Sequence, residues 1–321
     1  MALHITKMGS LKRKENTVYF ETEKGEKIPI PIEQVDEIYF HAPVSLSSQV
    51  LFLFSKRGIV LHFYDYYGFY KGSFYPKETL ISGEVVVKQA NCYLNESERL
   101  YLAKQFIKGA IKNININLRT WNMSLNVDNF IDELEGAEDI SQIMSVEGKF
   151  RDIYYSKIDS KISKFGFEIG VRTKRPPKNE ANALLSFLNS LVYSSTVSQI
   201  YYTHLSPTIS FLHEPSYRRF SLALDIAEIF KPLISERLFM FLITKKVLSL
   251  QDFRNESKGV LLKESSSKKV LKYFEERMKS TVKHKSLRRK VSFRRLIRLE
   301  IYKLEKHILG IKKYKPLVAW W

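Results

Sequence analysis

Three polar side chains on an otherwise apolar helix are the first candidates for chemistry. Between Arg218 and Lys231, Leu222, Leu224, Ile226, Ala227, Ile229 and Phe230 cover most of the surface. Ser221, Asp225 and Glu228 remain, spaced i, i+4, i+7, so they share one stripe. Burying an unpaired carboxylate is costly, so the stripe faces solvent, a partner or a metal ion. His213 lies twelve residues before Asp225 and fifteen before Glu228. His204 is close in sequence, so histidine is not unique to this position. Sixty-six residues before His213, Glu147 precedes Gly148 in a helical stretch. A glycine there costs about 1 kcal/mol of helix propensity, a cost that close approach of a backbone or ligand would explain. Spacing alone does not tie Glu147 to His213. Two carboxylates and an imidazole are a plausible donor set for a divalent cation.

A second apolar helix, Ala181 to Ile200, repeats the pattern without charge. Asn182, Ser186, Asn189 and Tyr193 line one face. They read equally as a helix–helix hydrogen-bond seam or as support for ligands and phosphates.

The elements that must position these groups fall into two parts. Residues 1–80 read as β-rich, with strands at Thr17–Phe20, Val35–Phe40 and Gly58–Tyr64. The Pro-containing segment Ile28–Ile32 belongs at an edge, a hairpin spans Tyr66–Gly72, and one helix lies near Ser45–Lys56. From about Gly83 the spacing turns helical, with a long helix beginning near Asn95. Residues 124–145 are weaker, Glu147–Ile158 is helical, and 161–180 is a loop containing Arg175-Pro176-Pro177. Residues 234–315 read as basic amphipathic helices. The expected class is α+β: a small β-rich domain over 1–80 followed by a larger all-α domain over 81–321.

Charge names the partner. The 321 residues carry 52 Lys/Arg against 34 Asp/Glu, a net +18. Residues 251–321 alone hold twenty-one Lys/Arg and seven Asp/Glu, whereas residues 1–80 are close to neutral. A localised excess suits a phosphate backbone. Cys92 is the single cysteine, which excludes an intramolecular disulfide and a Cys-based zinc site and fits a reducing, cytoplasmic setting. Neither a signal-peptide core nor a spanning apolar run is present, so no membrane partner is expected.

Three segments together resemble one family. They are Glu147-Gly148…Arg151…Tyr154, Arg175-Pro176-Pro177…Asn182-Ala183-Leu184-Leu185-Ser186-Phe187, and Leu212-His213-Glu214-Pro215…Ser221 through Leu233. With Gln251-Asp252-Phe253 and Lys290 to Leu296, they are similar, in order, to the CRISPR-associated endonuclease/integrase of spacer acquisition, the Cas protein one family. The resemblance implies one divalent metal, Mg²⁺ or Mn²⁺, held by Glu147, His213 and Glu228. Asp225 is implied as a supporting acid, with Asn182 beside it. It also implies homodimers flanking a small partner protein, Cas protein two, on double-stranded and branched DNA. Phe230-Lys231-Pro232 departs from the family's usual Phe-Arg-Pro, and Lys178-Asn179-Glu180-Ala181 stands where Asp-Pro is common. Arg151, Arg175, Lys283, Arg288, Arg289, Arg294 and Arg295 are the candidate DNA contacts. The expected chemistry is hydrolysis by water, or strand transfer by a DNA 3′-OH, at a phosphodiester. Competing expectations are a non-catalytic DNA scaffold and a general metal nuclease.

Overall fold

The structure is a computed structural model, described for residues 1–77, 80–215, 220–257 and 259–321. The chain divides into two compact units, Met1–Ile81 and Ser82–Trp321.

The first unit holds β1 (Ala2–Ile5), β2 (Gly9–Lys14), β3 (Thr17–Thr22), β4 (Lys27–Ile30), β5 (Glu37–Phe40), β6 (Val44–Leu46), α1 (Ser48–Lys56), β7 (Val60–Tyr64) and β8 (Tyr70–Phe74). They form two four-stranded sheets, ordered β1-β5-β7-β8 and β4-β3-β2-β6. As the prolines of Ile28–Ile32 required, β4 is an edge strand: Pro29, the one within it, stands opposite Tyr19 at the rim. Val50, Leu53 and Phe54 of α1 join Val18, Ile38 and Leu61 in the core. Strands β1 and β2 were not foreseen, because their lysines and lone histidine break the apolar alternation that marks a strand.

A row of polar rings crosses the first sheet. Strand register sets His4 beside Tyr39, Tyr39 beside His62, and His62 beside Ser73. His62 Nδ1 lies 2.7 Å from Ser73 Oγ, and His4 Nδ1 lies 3.0 Å from His41 Nε2. Burial, reinforced by His4, pulls the His62 imidazole down to about 3. His41 is lowered well below its ordinary value by the same two causes and by His62.

The second unit contains α2 (Gly83–Leu94), α3 (Glu96–Thr120), α4 (Asp128–Gly136), α5 (Ile140–Ile162), α6 (Glu180–Tyr201), α7 (Ser221–Phe230), α8 (Arg237–Thr244), β9 (Phe253–Glu256), β10 (Gly259–Leu262), α9 (Glu264–Lys279), β11 (Thr281–Lys283), β12 (Lys290–Ser292) and α10 (Phe293–Ile308). Helices dominate it, as expected. Two antiparallel ribbons, β9–β10 and β11–β12, are additions that correct an all-α reading of this part. Strands of three or four residues are too short to carry a legible period. The residues at the expected start of the 218–234 helix, 218 and 219, lie outside the described residues.

Side-chain caps set several helix starts. Asn95 Oδ1 accepts from Glu98 N (3.1 Å), Asp139 Oδ1 from Gln142 N (2.8 Å), and Asn179 Oδ1 from Asn182 N (2.8 Å). Helix α7 packs on α3 and α6 at the centre of the unit and stops before Pro232, which has no N–H to donate. A π-helical turn, Pro232–Glu236, continues the chain into α8. No helix among the described residues is long and apolar enough to cross a membrane.

The buried histidines make the first unit acid-sensitive. The ordinary pKa of histidine is near 6.5, while His62 in the sheet is held at about 3. Below pH 6.5 the unfolded chain takes up a proton that the folded sheet refuses. Stability is therefore level above 6.5 and falls by about 1.4 kcal/mol per pH unit per such histidine on the way down to 3. Urea unfolding at pH 7 and pH 5 should show this loss, and His62→Gln should reduce it.

Candidate metal centre

Helix α5 brings Glu147, Arg151 and Tyr154 to one face, since they are spaced i, i+4, i+7. The face meets α7 and the π turn. Arg151 is 9% exposed and makes three ion pairs. Its Nη2 lies 3.0 Å from Glu228 Oε2, its Nη1 2.5 Å from Glu236 Oε1, and its Nε 3.5 Å from Glu147 Oε1. Tyr154 Oη donates to the second Glu236 oxygen at 2.7 Å. The ammonium of Lys231, one turn after Glu228, holds Glu228 Oε1.

The polar stripe of α7 does not face water: Ser221, Asp225 and Glu228 are 1%, 0% and 3% exposed. Each member has a separate task. Ser221 Oγ donates to Thr208 O at 2.9 Å. Asp225 organises the preceding loop. One of its oxygens accepts from Phe211 N (2.7 Å) and Leu212 N (3.0 Å), and the other from His213 N (3.0 Å). The imidazole Nδ1 of His213 lies 2.8 Å from the latter oxygen. A carboxylate accepts only, so Nδ1 carries a proton, and in the neutral imidazole Nε2 keeps its lone pair. This is the orientation in which a histidine serves as a metal ligand.

Electrostatics ties Glu147, His213 and Glu228 into one neighbourhood. Burial and the adjacent Glu228 charge raise the Glu147 carboxyl, against the pull of Arg151, Lys231 and His213. Glu228 is buried too, yet Lys231, Arg151 and His213 together hold it below the usual carboxylate range. Burial opposes a charge on His213, but the hydrogen bond and charge of Asp225, with Glu228 behind, outweigh it and raise its pKa. Two carboxylates and an available imidazole nitrogen fit a hard to borderline divalent cation, whose charge would relieve the Glu147–Glu228 repulsion.

The donors are neighbours rather than a closed cage, because Lys231 and Arg151 sit on the oxygens of Glu228. Among the described residues, the group whose donor atoms all lie within 4.8 Å of one another is Cys92, Glu98 and His307. It qualifies the exclusion of cysteine as a ligand type. Glu98 there pairs with His307 Nε2 at 3.0 Å, and Tyr314 N–H points to Nδ1 at 3.3 Å.

The remaining candidates separate clearly. Asn182 does not reach the carboxylates: it accepts from Arg172 Nη1 (2.9 Å) and Thr173 N (3.1 Å) and donates to Ile169 O (2.7 Å), shaping the loop before α6. Ser186 also takes Arg172, Asn189 takes Ser235 Oγ (2.6 Å), and Tyr193 takes Phe220 N (3.3 Å), so this stripe is a hydrogen-bond seam. Arg151, expected on DNA, is instead enclosed by carboxylates. Arg294 is likewise held by Glu275 at 3.0 and 3.2 Å and is largely buried. Arg175, Lys283, Arg288 and Arg289 are exposed, and Arg295 is half-buried. No atom would come within 4 Å of a Cβ on Gly148, so close backbone approach does not explain that glycine. Sequence reasoning missed Glu236. Its signal was its place one residue before Arg237, at the end of an apolar run where a carboxylate needs a partner.

In the helical unit, carboxylates stand near a histidine held by Asp225, a set of residue types that suits metal-assisted chemistry at a phosphodiester. The chain belongs to the family described as CRISPR associated protein Cas1, whose profile matches residues 3–276. A CRISPR-associated endonuclease Cas1 from Pyrococcus horikoshii is 48% identical over 312 residues, spanning 97% of this chain and 96% of its own. One from Methanocaldococcus jannaschii is 49% identical over 312 residues, spanning 97% and 96%. The solved structure of a CAS1 protein from Thermotoga maritima has a TM-score of 0.92 at 38% identity, covering 99% of this chain and 100% of that one. A casposase bound to integration product shares the fold at 17% identity, with a TM-score of 0.87 over 98% of this chain and 93% of its own.

Removing the central cation should unsettle the whole centre. Arg151→Met leaves Glu228 and Glu236 buried without their main partner, and thermal or urea unfolding should register a loss of roughly 3–5 kcal/mol.

Proposed function

We propose that this protein is a metal-dependent DNA endonuclease and strand-transfer integrase of CRISPR adaptation, with Glu147, His213 and Glu228 as the metal ligands. The observation that carries the reading is His213. Asp225 holds its Nδ1, and the charges of Glu147 and Glu228 lie within electrostatic reach of the imidazole. Mg²⁺ or Mn²⁺ bound there supplies Lewis acidity toward a phosphodiester, and the imidazole favours Mn²⁺.

The protein's own groups then have distinct duties. Asp225 keeps the proton on Nδ1. Arg151 and Glu236 brace Glu228 from behind. Lys231 must leave Glu228 Oε1 when a ligand approaches, and its ammonium is then available to a phosphate oxygen. Lys174 stands within electrostatic reach of the same carboxylates and of Lys231, which makes it a second candidate cation for a phosphate. In hydrolysis water attacks phosphorus and gives up a proton, one P–O ester bond breaks, and the departing strand oxygen leaves as a hydroxyl. In integration a DNA 3′-OH attacks and loses its proton, a new P–O bond forms, and the target strand's own 3′-oxygen departs. One phosphodiester replaces another, so no energy source is needed.

The exposed basic residues Arg175, Lys283, Arg288, Arg289 and Arg295 are the proposed strand contacts. The net charge of residues 251–321 supports this assignment. Two fold neighbours, a casposase bound to an integration product and a Cas6-RT-Cas1–Cas2 complex, support DNA and a Cas2-type protein as partners. Residues 1–80 serve homodimerisation in this reading, and exposed Tyr66 offers one apolar contact. A non-catalytic scaffold would bind DNA but no metal. A general nuclease would cut any duplex without joining.

Glu147→Ala, His213→Ala and Glu228→Ala should each abolish Mn²⁺-dependent strand joining on a branched DNA while leaving duplex affinity within a few-fold. Wild-type joining by the triple variant would remove these residues from the chemistry. Duplex affinity should fall steeply with salt, the log–log slope being about 0.9 per phosphate neutralised. A flat salt response would count against the basic surface.

A further inference from the structure

The π turn Pro232–Glu236 pairs its backbone one residue out of α-helical register, with Glu236 N donating to Lys231 O at 3.0 Å. Such a turn swings carbonyls away from the helix axis, where they need partners from outside. Two buried amides on α3 and one arginine on α9 supply them. Asn113 Nδ2 donates to Ile229 O (3.1 Å), and Asn117 Nδ2 to Pro232 O (2.7 Å). Arg277 donates to Leu233 O through Nη2 (2.6 Å) and Nε (3.2 Å).

Both asparagines are fully buried, and their orientation is set by the other half of each amide. Asn117 Oδ1 accepts from Arg237 Nε (2.6 Å), and Asn113 Oδ1 accepts from Ala319 N (2.9 Å). Flipping either group would set N–H against N–H. Gly109, one turn earlier on the same face, keeps α3 close: a Cβ there would lie 3.4 Å from Ile229 Cγ1 and 2.7 Å from Pro316 Cβ.

The turn has a geometric consequence at the site. Glu228 and Glu236 are eight residues apart. At about 100° per residue an α-helix would leave them roughly 80° out of line. An i→i+5 turn winds less per residue and removes most of that offset. Both carboxylates then reach the two terminal nitrogens of Arg151.

We infer that Asn113 and Asn117 are positioning residues for the reaction: by holding the Ile229 and Pro232 carbonyls they keep the π turn that aims Glu228 and Glu236 together at Arg151. This rests on the reading of Glu228 as a metal ligand. The two buried amides act through the backbone they hold. They set the direction of the carboxylate, so their loss appears as weakened metal binding.

Asn117→Asp is the most direct test, because it keeps the size and the bond to Arg237 while removing the donor to Pro232. Asn113→Asp keeps the bond from Ala319 N and removes the donors to Ile229 O and Leu317 O. Arg277→Met, half-buried on α9, removes the third clamp without burying a new charge, and it decides the question if the aspartate variants do not fold. Mn²⁺ binding by calorimetry and electron paramagnetic resonance, duplex affinity, and strand joining across a range of Mn²⁺ should be read with Glu228→Ala in parallel. The expected result is a tenfold to hundredfold loss of Mn²⁺ affinity in the asparagine variants. Joining should recover at high Mn²⁺ and duplex affinity should be unchanged. Arg277→Met should show a smaller loss in the same direction. Folded variants with wild-type Mn²⁺ affinity would overturn the inference, provided Glu228→Ala has lost binding. If Glu228→Ala also binds Mn²⁺ normally, the ligand assignment itself fails.

Discussion

Burial of the Arg151 guanidinium among three carboxylates is the constraint around which the helical unit is arranged. A charge removed from water needs opposite charge in good geometry, or it costs several kcal/mol. Arg151 meets that demand from three directions, through Glu147 on its own helix, Glu228 on α7 and Glu236 at the end of the π turn. Satisfying all three fixes the approach of α5 to α7 and requires the wide turn after Pro232. That turn in turn requires the amides of α3 and the guanidinium of Arg277. The chain of dependence runs from one buried cation outward to four helices.

Asp225 and Glu228 sit one turn apart on the same helix, yet their environments give them different work. Asp225 meets only donors, three backbone N–H groups and an imidazole, so it is a building element that shapes residues 211–213. Glu228 meets two long cationic side chains, one of which can swing away. A carboxylate held by movable cations is suited to exchanging them for a metal ion. A carboxylate held by backbone is not. Glu147, raised by burial and by Glu228, completes an uneven pair whose shared charge a divalent ion would neutralise.

Much of the fold was legible because its signals were local. Asn95 and Asn179 are caps that a helix start needs, and Pro29 and Pro232 are breaks that backbone chemistry imposes. The apolar faces of α6 and α7 follow from their periodicity. Strands β1 and β2 and the two C-terminal ribbons were not legible, since short strands with charged residues carry no period. The ion pairs of Arg151 and Arg294 were not legible. A sequence shows that a residue is basic but not which carboxylate it meets, and Glu236 and Glu275 are distant in the chain or on another element. The Asn182 stripe could be read two ways, and packing against Arg172 and Ser235 chose the hydrogen-bond seam.

By itself the sequence determined which side chains were available and the local geometry that short-range rules impose. It set the stripe of Ser221, Asp225 and Glu228, the placement of Glu147 and Arg151 one turn apart, the break at Pro232, and the basic excess after residue 250. Family resemblance, also contained in the sequence, named Glu147 and His213 as partners of that stripe. Only the tertiary structure decided that the stripe is buried, that Asp225 orients His213, and that Glu236 shares Arg151 with Glu228. Those outcomes depend on contacts between residues tens of positions apart. Their energies come from removing charges from water, and no local pattern reports where water will be absent.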